Sequence, residues 1–229
     1  MTERADLKSP RPRRSRGLPT ILGLCLALFG ADLAAATTDS MRFRVYLDQD
    51  PIGEHSFQIS RNLSPNQGEE QIVSRASFDV KLLIFNAYRY RHESREAWRE
   101  GCLEHIRSTT DDNGKAYRVT GEQGEDALTI RVNGDNKRLP QCVSTFAYWD
   151  RNFLKQRSLL NPQTGEMVEV RVEPAGIERH LFQGREVDAE RYRLRADKLD
   201  ITLWYTPDGR WIGLASDAGH GRTLRYERL

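Results

Sequence analysis

Met41, Phe43, Val45 and Leu47 alternate with Arg42, Arg44, Tyr46 and Asp48, and this two-residue period returns along most of the chain. Alternation of that kind gives a chain one apolar face only if it is extended, so it selects strands over helices. His55, Phe57 and Ile59 repeat it after a turn at Asp50-Pro51 and Gly53, which predicts an opening hairpin. The long run from Ile72 to Trp98 keeps the period through Phe78, Val80, Leu82 and Ile84, and reads as one bent strand or two in tandem. Asp112-Asn113-Gly114 is the strongest hairpin signal in the chain. Leu128, Ile130 and Val132 then end at Asn133-Gly134-Asp135, and Val168, Val170 and Val172 resume the alternation. Further strands surround Tyr192-Leu194, Ile201-Leu203-Tyr205, Trp211 to Ala215 and Thr223 to Glu227. About ten or eleven strands at this spacing predict an all-β fold. We expect a single strongly curved antiparallel sheet forming a closed or near-closed barrel of about ten strands, because closure limits exposed edges.

One stretch interrupts the alternation. Phe146 to Val172 holds Phe146, Tyr148 and Trp149, then the charged pair Asp150-Arg151, then a Pro162 to Gly165 turn. Asp150 is placed to cap a short helix over residues 150–160, with Trp149, Phe153 and Leu154 at helical spacing. Such a helix would cover or plug one mouth of the barrel. A helix-start carboxylate beside aromatics is also suited to orienting a polar ligand head, so Tyr148, Trp149, Asp150 and Arg151 are candidate binding residues; a cap with a core anchor is the plainer alternative.

The first 36 residues read as a cleaved signal peptide: a basic n-region at Arg11, Arg13, Arg14 and Arg16, an apolar run Ile21 to Ala31, and Ala34-Ala35-Ala36 as cleavage site. The apolar run is short for a membrane span. Leu24 before Cys25 argues against lipid attachment, and the residues after Arg13-Arg14 do not continue a twin-arginine signal. We therefore expect a periplasmic protein, 37–229, forming a single β domain with no transmembrane span. That segment carries 29 Lys and Arg against 30 Asp and Glu, so the basic isoelectric point of the whole chain describes its leader and gives no support for a nucleic-acid partner. It also retains only Cys102 and Cys142, an even pair that in an exported chain reads as a disulfide.

No nucleophile elbow, HExxH, Gly-rich phosphate loop or calcium loop is present, so no cofactor and no metal site are predicted and no catalytic residue is assigned. The five histidines fall on separate segments. His55 points inward on its strand and is either a hydrogen-bonded core histidine or part of a ligand site. At Leu82 to Phe85 both faces are apolar, which means double burial or a greasy surface for a ligand. The reading that joins these features is a binding or carrier module whose sheet encloses a hydrophobic small molecule or lipid, lined by Leu82, Ile84, Tyr88 and Trp149 with Asp150 or Arg151 at the mouth. The alternatives are an assembly factor contacting an envelope protein through a sheet edge, and an enzyme with His55 or His105 as base.

The segments FRVYLDQDPIGEHSF, TFAYWD, LLNPQTGEMVEV and LWYTPDGRWIGL together resemble an uncharacterised family of exported bacterial proteins classed as a domain of unknown function. The resemblance covers nearly all of the chain after the leader. It implies an all-β fold and an envelope location in a Gram-negative bacterium, and carries no activity and no assigned site residues. Handling of hydrophobic molecules follows only by analogy with other exported β families.

Overall fold

The computed structural model of the protein describes residues 36–62, 68–82 and 85–229; the signal-peptide reading of residues 1–36, apart from Ala36 itself, and the candidate Ile84 therefore lie outside the described residues. Within Ala34–Leu229, which forms one compact unit, the first eight strands run in sequence: β1 (Ala36–Leu47), β2 (Asp50–Asn62), β3 (Glu69–Leu82), β4 (Phe85–Arg99), β5 (Cys102–Asp112), β6 (Lys115–Gln123), β7 (Leu128–Val132) and β8 (Asp135–Leu139). A small ladder of β9 (Ser158–Leu160) and β10 (Met167–Glu169) follows, then β11 (Arg171–Phe182), β12 (Arg185–Ala196), β13 (Leu199–Tyr205), β14 (Trp211–Asp217) and β15 (Thr223–Arg228). The main sheet has thirteen strands in the order β11-β12-β13-β14-β15-β1-β2-β3-β4-β5-β6-β7-β8, every neighbour antiparallel. The last strand therefore lies beside the first, with Phe43 opposite Arg228.

The expected all-β curved sheet is present, but it is not a closed barrel of ten strands: β8 and β11 are unpaired edges. The extra strands are those with the weakest apolar signal. Asp135-Asn136-Lys137-Arg138 in β8 is exposed along its length, because an edge strand stays soluble through charge rather than through an alternating face. Curvature follows from the core. Phe43 of β1, Ile130 of β7, Leu194 of β12 and Trp211 of β14 belong to one buried cluster, which strands so far apart in the sheet can share only if the sheet wraps round them.

Local chemistry accounts for the turns. Asn113 and Gly114 both take positive φ, as a two-residue hairpin requires, and Asp112 pairs with Lys115. Asn133-Gly134 does the same between β7 and β8, making a hairpin where the pattern showed only a strand end. The opening hairpin turns at Asp48-Gln49, not at Asp50-Pro51, since Leu47 pairs with Asp50. Gly53 instead sits inside β2 at φ 154°, where a Cβ would lie 1.9 Å from the Ser77 carbonyl oxygen; only glycine lets β3 approach so closely. The long run from Ile72 is two antiparallel strands, β3 and β4, with Leu82 opposite Phe85.

Between β8 and β11 the chain crosses the inside of the sheet. The predicted helix over 150–160 is a single turn of 3-10 helix, Arg151–Lys155, and Leu159 and Leu160 are strand. Asp150 does cap it, its carboxylate accepting from the Asn152 N–H at 2.9 Å. The turn ends at Gln156, whose backbone is extended at φ −75° and ψ 151°, and Ser158–Leu160 then pairs with Met167–Glu169. Tyr205 hydroxyl donates to the Tyr148 carbonyl at 2.8 Å, Thr110 hydroxyl to the Gln163 carbonyl at 3.1 Å and Ser108 hydroxyl to the Pro162 carbonyl, so both walls hold the segment. Gly165, at φ 70°, lies against Val132 and Val119. Cys102 and Cys142 form a disulfide with Cα atoms 5.0 Å apart, tying the start of β5 to the base of the segment. Closing a loop of this length stabilises by about 4 kcal/mol in the chain-entropy account.

Candidate binding cavity

Inward-facing positions on β2 to β5 are mostly apolar, but one patch is not. On β4 the inner face reads Tyr90, His92, Ser94, Glu96, Trp98. Antiparallel register sets Ser94 between Ser74 and Ser108, and sets His92 between Ala76 and Thr110, with Ala76 itself opposite His55. Of these, His55, Ser74, His92, Ser94 and Glu96 form one wall of a cavity of about 240 Å³ inside the sheet. Phe57, Phe146, Tyr148 and Trp149 form its aromatic side, and Ile201, Leu214 and Leu224 come from the opposite wall.

The polar groups hold one another in place. His55 lies 2.7 Å through Nε2 from the Ser74 hydroxyl and 3.3 Å through Nδ1 from the Tyr226 hydroxyl. Thr110 gives its hydroxyl proton to the Gln163 carbonyl, so the 2.9 Å contact with His92 makes Nδ1 of that ring the donor. His92 Nε2 is then an acceptor. Glu96 receives three donors: Ser94 at 2.9 Å, the Trp98 indole at 3.0 Å and Thr145 at 3.2 Å.

Burial sets the charge of the patch. Desolvation, with a smaller push from His92, lowers the His55 pKa to about 3, and desolvation lowers His92 to about 4. Both rings are neutral near pH 7. Desolvation raises Glu96 above the usual carboxylate value, while its three hydrogen bonds pull the other way. Among the described residues no Lys or Arg lines the cavity. The two histidine rings thus offer hydrogen bonds without charge.

Of the residues singled out from sequence, the fold brings His55, Tyr148 and Trp149 together here. Trp149 packs on Phe57 and Trp98 with ring centroids 5.5 and 6.5 Å apart, and Tyr148 on Trp211 at 5.1 Å. Asp150 and Arg151 face a separate depression beside Trp98 and Asn152. Arg151 is engaged there, pairing with Glu190 and donating to the Tyr192 hydroxyl at 2.6 Å. Tyr88 belongs to another cluster with Val45, Leu47 and Phe78, and its hydroxyl donates to Asp112 at 2.7 Å. Leu82 ends β3 at the hairpin tip. His105 lies in an outer-face depression opposite Glu122, away from the cavity. Sequence reasoning missed Ser74, His92, Ser94, Glu96, Thr145 and Tyr226. The signal was the run His92, Ser94, Glu96, three polar residues at inward positions between Tyr90 and Trp98. Among the described residues no group of three or more His, Cys, Asp or Glu is arranged to hold a metal, and no helix is long and apolar enough to cross a membrane.

An open, curved antiparallel sheet wrapped round an internal segment, with a small polar-walled cavity, defines a β-barrel-like protein. The chain belongs to a family defined by a domain of unknown function, DUF6134, which matches residues 43–229. In structure it is similar to the β-barrel-like protein of domain of unknown function DUF1849 from Brucella abortus, with a TM-score of 0.57 at 8% identity over 86% of this chain and 96% of that one. At that identity the likeness is one of fold. No curated protein matches the chain in sequence.

Proposed function

We propose that the protein is an exported binding module that holds a small amphipathic molecule in the interior cavity. The observation that carries this reading is the joining of an aromatic wall, Phe57 and Trp149, to an uncharged hydrogen-bonding wall, His55, Ser74 and His92, in one cavity. Binding sites combine mainly apolar lining with a few convergent polar groups in this way. At about 240 Å³ the cavity is below the range of roughly 300–1,000 Å³ typical of drug-sized ligands, so it takes a small molecule or the end of a longer one, not a two-chain lipid. His92 Nε2 as acceptor favours a ligand end bearing a hydroxyl or amide N–H. Periplasmic residence is part of the reading, supported by the leader-like N-terminus and the disulfide.

Catalysis by the Ser74–His55 contact is a weaker account, because a ring whose pKa is about 3 is a poor general base at neutral pH. The β11 edge, where Ile177 and Leu181 are 72% and 64% exposed, favours a partner strand as a second reading.

Native mass spectrometry of protein purified from periplasm, compared with Ser216→Phe, tests the cavity. Ser216 lines it from β14, and a phenyl group there fills the space without removing a buried apolar side chain. A bound mass in the wild type that is missing from Ser216→Phe is expected. Equal occupancy in the two proteins, or an empty wild type that also takes up no small molecule from a periplasmic extract, overturns the reading.

A further inference from the structure

The outer face of β4 to β7 collects arginines that the inner-face function does not use. Arg95 on β4 stands directly opposite Arg107 on β5. Arg107 is opposite Thr120, which is opposite Arg131 on β7, while Arg118 on β6 is two residues from Thr120 and so diagonal to both Arg107 and Arg131. Side chains in such positions are cross-strand neighbours, and like charges placed there repel. Elsewhere on this surface the sheet pairs its arginines with carboxylates: Arg42 with Glu54 at 2.8 Å, Arg91 with Asp79 at 2.8 Å, Arg193 with Asp200.

In the cluster that pattern fails. Arg95 shares the single carboxylate Glu93 with Arg75, at 2.8 and 3.3 Å. Among the described residues Arg131 donates to the neutral Asn136 amide oxygen at 3.0 Å and to no carboxylate, Glu122 lying diagonal to it and to Arg107 but outside ion-pairing distance. Among the described residues no carboxylate comes within ion-pairing distance of Arg107 or Arg118. The exposed arginines of the cluster also border open depressions. Two adjoining depressions of about 1190 and 590 Å³ meet at Thr120 and Arg131, with Arg118 lining the larger and Arg107 the smaller.

We propose that this cluster binds a multiply phosphorylated ligand through Arg107, Arg118 and Arg131. Guanidinium groups present paired N–H donors that match phosphate oxygens, and an anion seated among them would convert mutual repulsion into shared attraction. Exposed like charges are held together at a cost to stability, so occupancy should raise the melting temperature. A free polyphosphate and a phospholipid headgroup share this chemistry, and the test separates the two sources. The site is independent of the interior cavity and stands or falls without it.

The test is titration calorimetry of the whole protein with inorganic tripolyphosphate at low salt and again at physiological salt, where the Debye length is about 8 Å. Expected are saturable binding that weakens with salt, a loss of tenfold or more in affinity in Arg107→Gln/Arg118→Gln, and unchanged affinity in Arg193→Gln. The double variant should also melt no lower than wild type without anion, since it removes repulsion and no ion pair, and should lose the anion-induced rise. Undetectable binding at low salt, equal binding in the double variant, or binding to phosphatidylglycerol vesicles with none to tripolyphosphate each overturns the proposal.

Discussion

Two regions of one interior behave differently. Where β12 to β14 face the crossing segment, Phe153, Leu159, Leu160, Tyr205 and Trp211 are all fully buried. Where β2 to β4 face it, His55, Ser74, His92, Ser94 and Glu96 leave a cavity, which Ile201, Leu214 and Ser216 close from the opposite side. Backbone pairing is the same on both sides, so the difference lies in side chains alone. Apolar positions draw the segment down until voids close, because contact with close-packed neighbours is what stabilises them. Polar positions satisfy one another laterally through hydrogen bonds along the sheet, and gain nothing from being covered by apolar atoms. The interior therefore keeps a packed region that holds the fold beside a polar-walled one that is free to hold something else.

The sharpest way to break that contrast is to hollow out the packed region. Phe153 is 1% exposed and makes an edge-to-face contact with Tyr148 at 5.5 Å. Phe153→Ala removes a large ring from a region with no slack, and should cost about 3–5 kcal/mol in urea unfolding. If the loss were under about 1 kcal/mol, the packed region would be as loose as the cavity region and the contrast would fail.

Acid sharpens it from the other side. His55 and His92 have folded pKa values near 3 and 4, below the ordinary 6.5, so the unfolded chain binds more protons than the folded one between those limits. Their contribution is complete above about pH 6.5 and is lost as pH falls toward 4, at up to about 1.4 kcal/mol per pH unit for each ring. Glu96 has the opposite sign: its raised pKa means the folded state takes up the extra proton, which favours folding on the acid side of its range and offsets part of the loss. Unfolding at pH 7 and pH 4.5 should differ by about 2–4 kcal/mol, and His55→Gln/His92→Gln should remove most of the difference. A pH dependence untouched by that variant would place the titration elsewhere.

Much of the sheet was legible because alternation at Met41–Leu47, Leu128–Val132 and Ile201–Tyr205 reports directly which face is buried, and Asn113-Gly114 reports a turn with only one economical backbone path. Cys102 and Cys142 were legible by count. The rest depends on distant partners. The β3 to β4 turn was hidden because Leu82 to Phe85 is apolar on both faces, leaving no break in the period. Arg151, which looked free to meet a ligand, is occupied by Glu190 and Tyr192 on a strand some forty residues away. The polar cavity wall is built across three strands, and the arginine cluster likewise exists only through register; local pattern carries neither.

The mildest substitution probes the border between the two regions. Thr110, 4% exposed, lies at 2.9 Å from His92 on the cavity side and donates to the Gln163 carbonyl of the crossing segment at 3.1 Å. Thr110→Val keeps the shape of the side chain and strands two polar groups, the His92 Nδ1–H and the Gln163 carbonyl. Leaving a buried donor or acceptor without its partner costs about 1–3 kcal/mol, and here the low end applies because the adjoining cavity can admit a water to each group. A loss near 1 kcal/mol, together with a weaker hold on any cavity ligand, is expected from unfolding and binding measured on the same protein. A full 3 kcal/mol would mean that no water reaches His92 and that the cavity is closed to solvent; no loss at all would mean that the Ser108 and Tyr205 hydroxyls hold the segment without Thr110, with the polar wall free to rearrange.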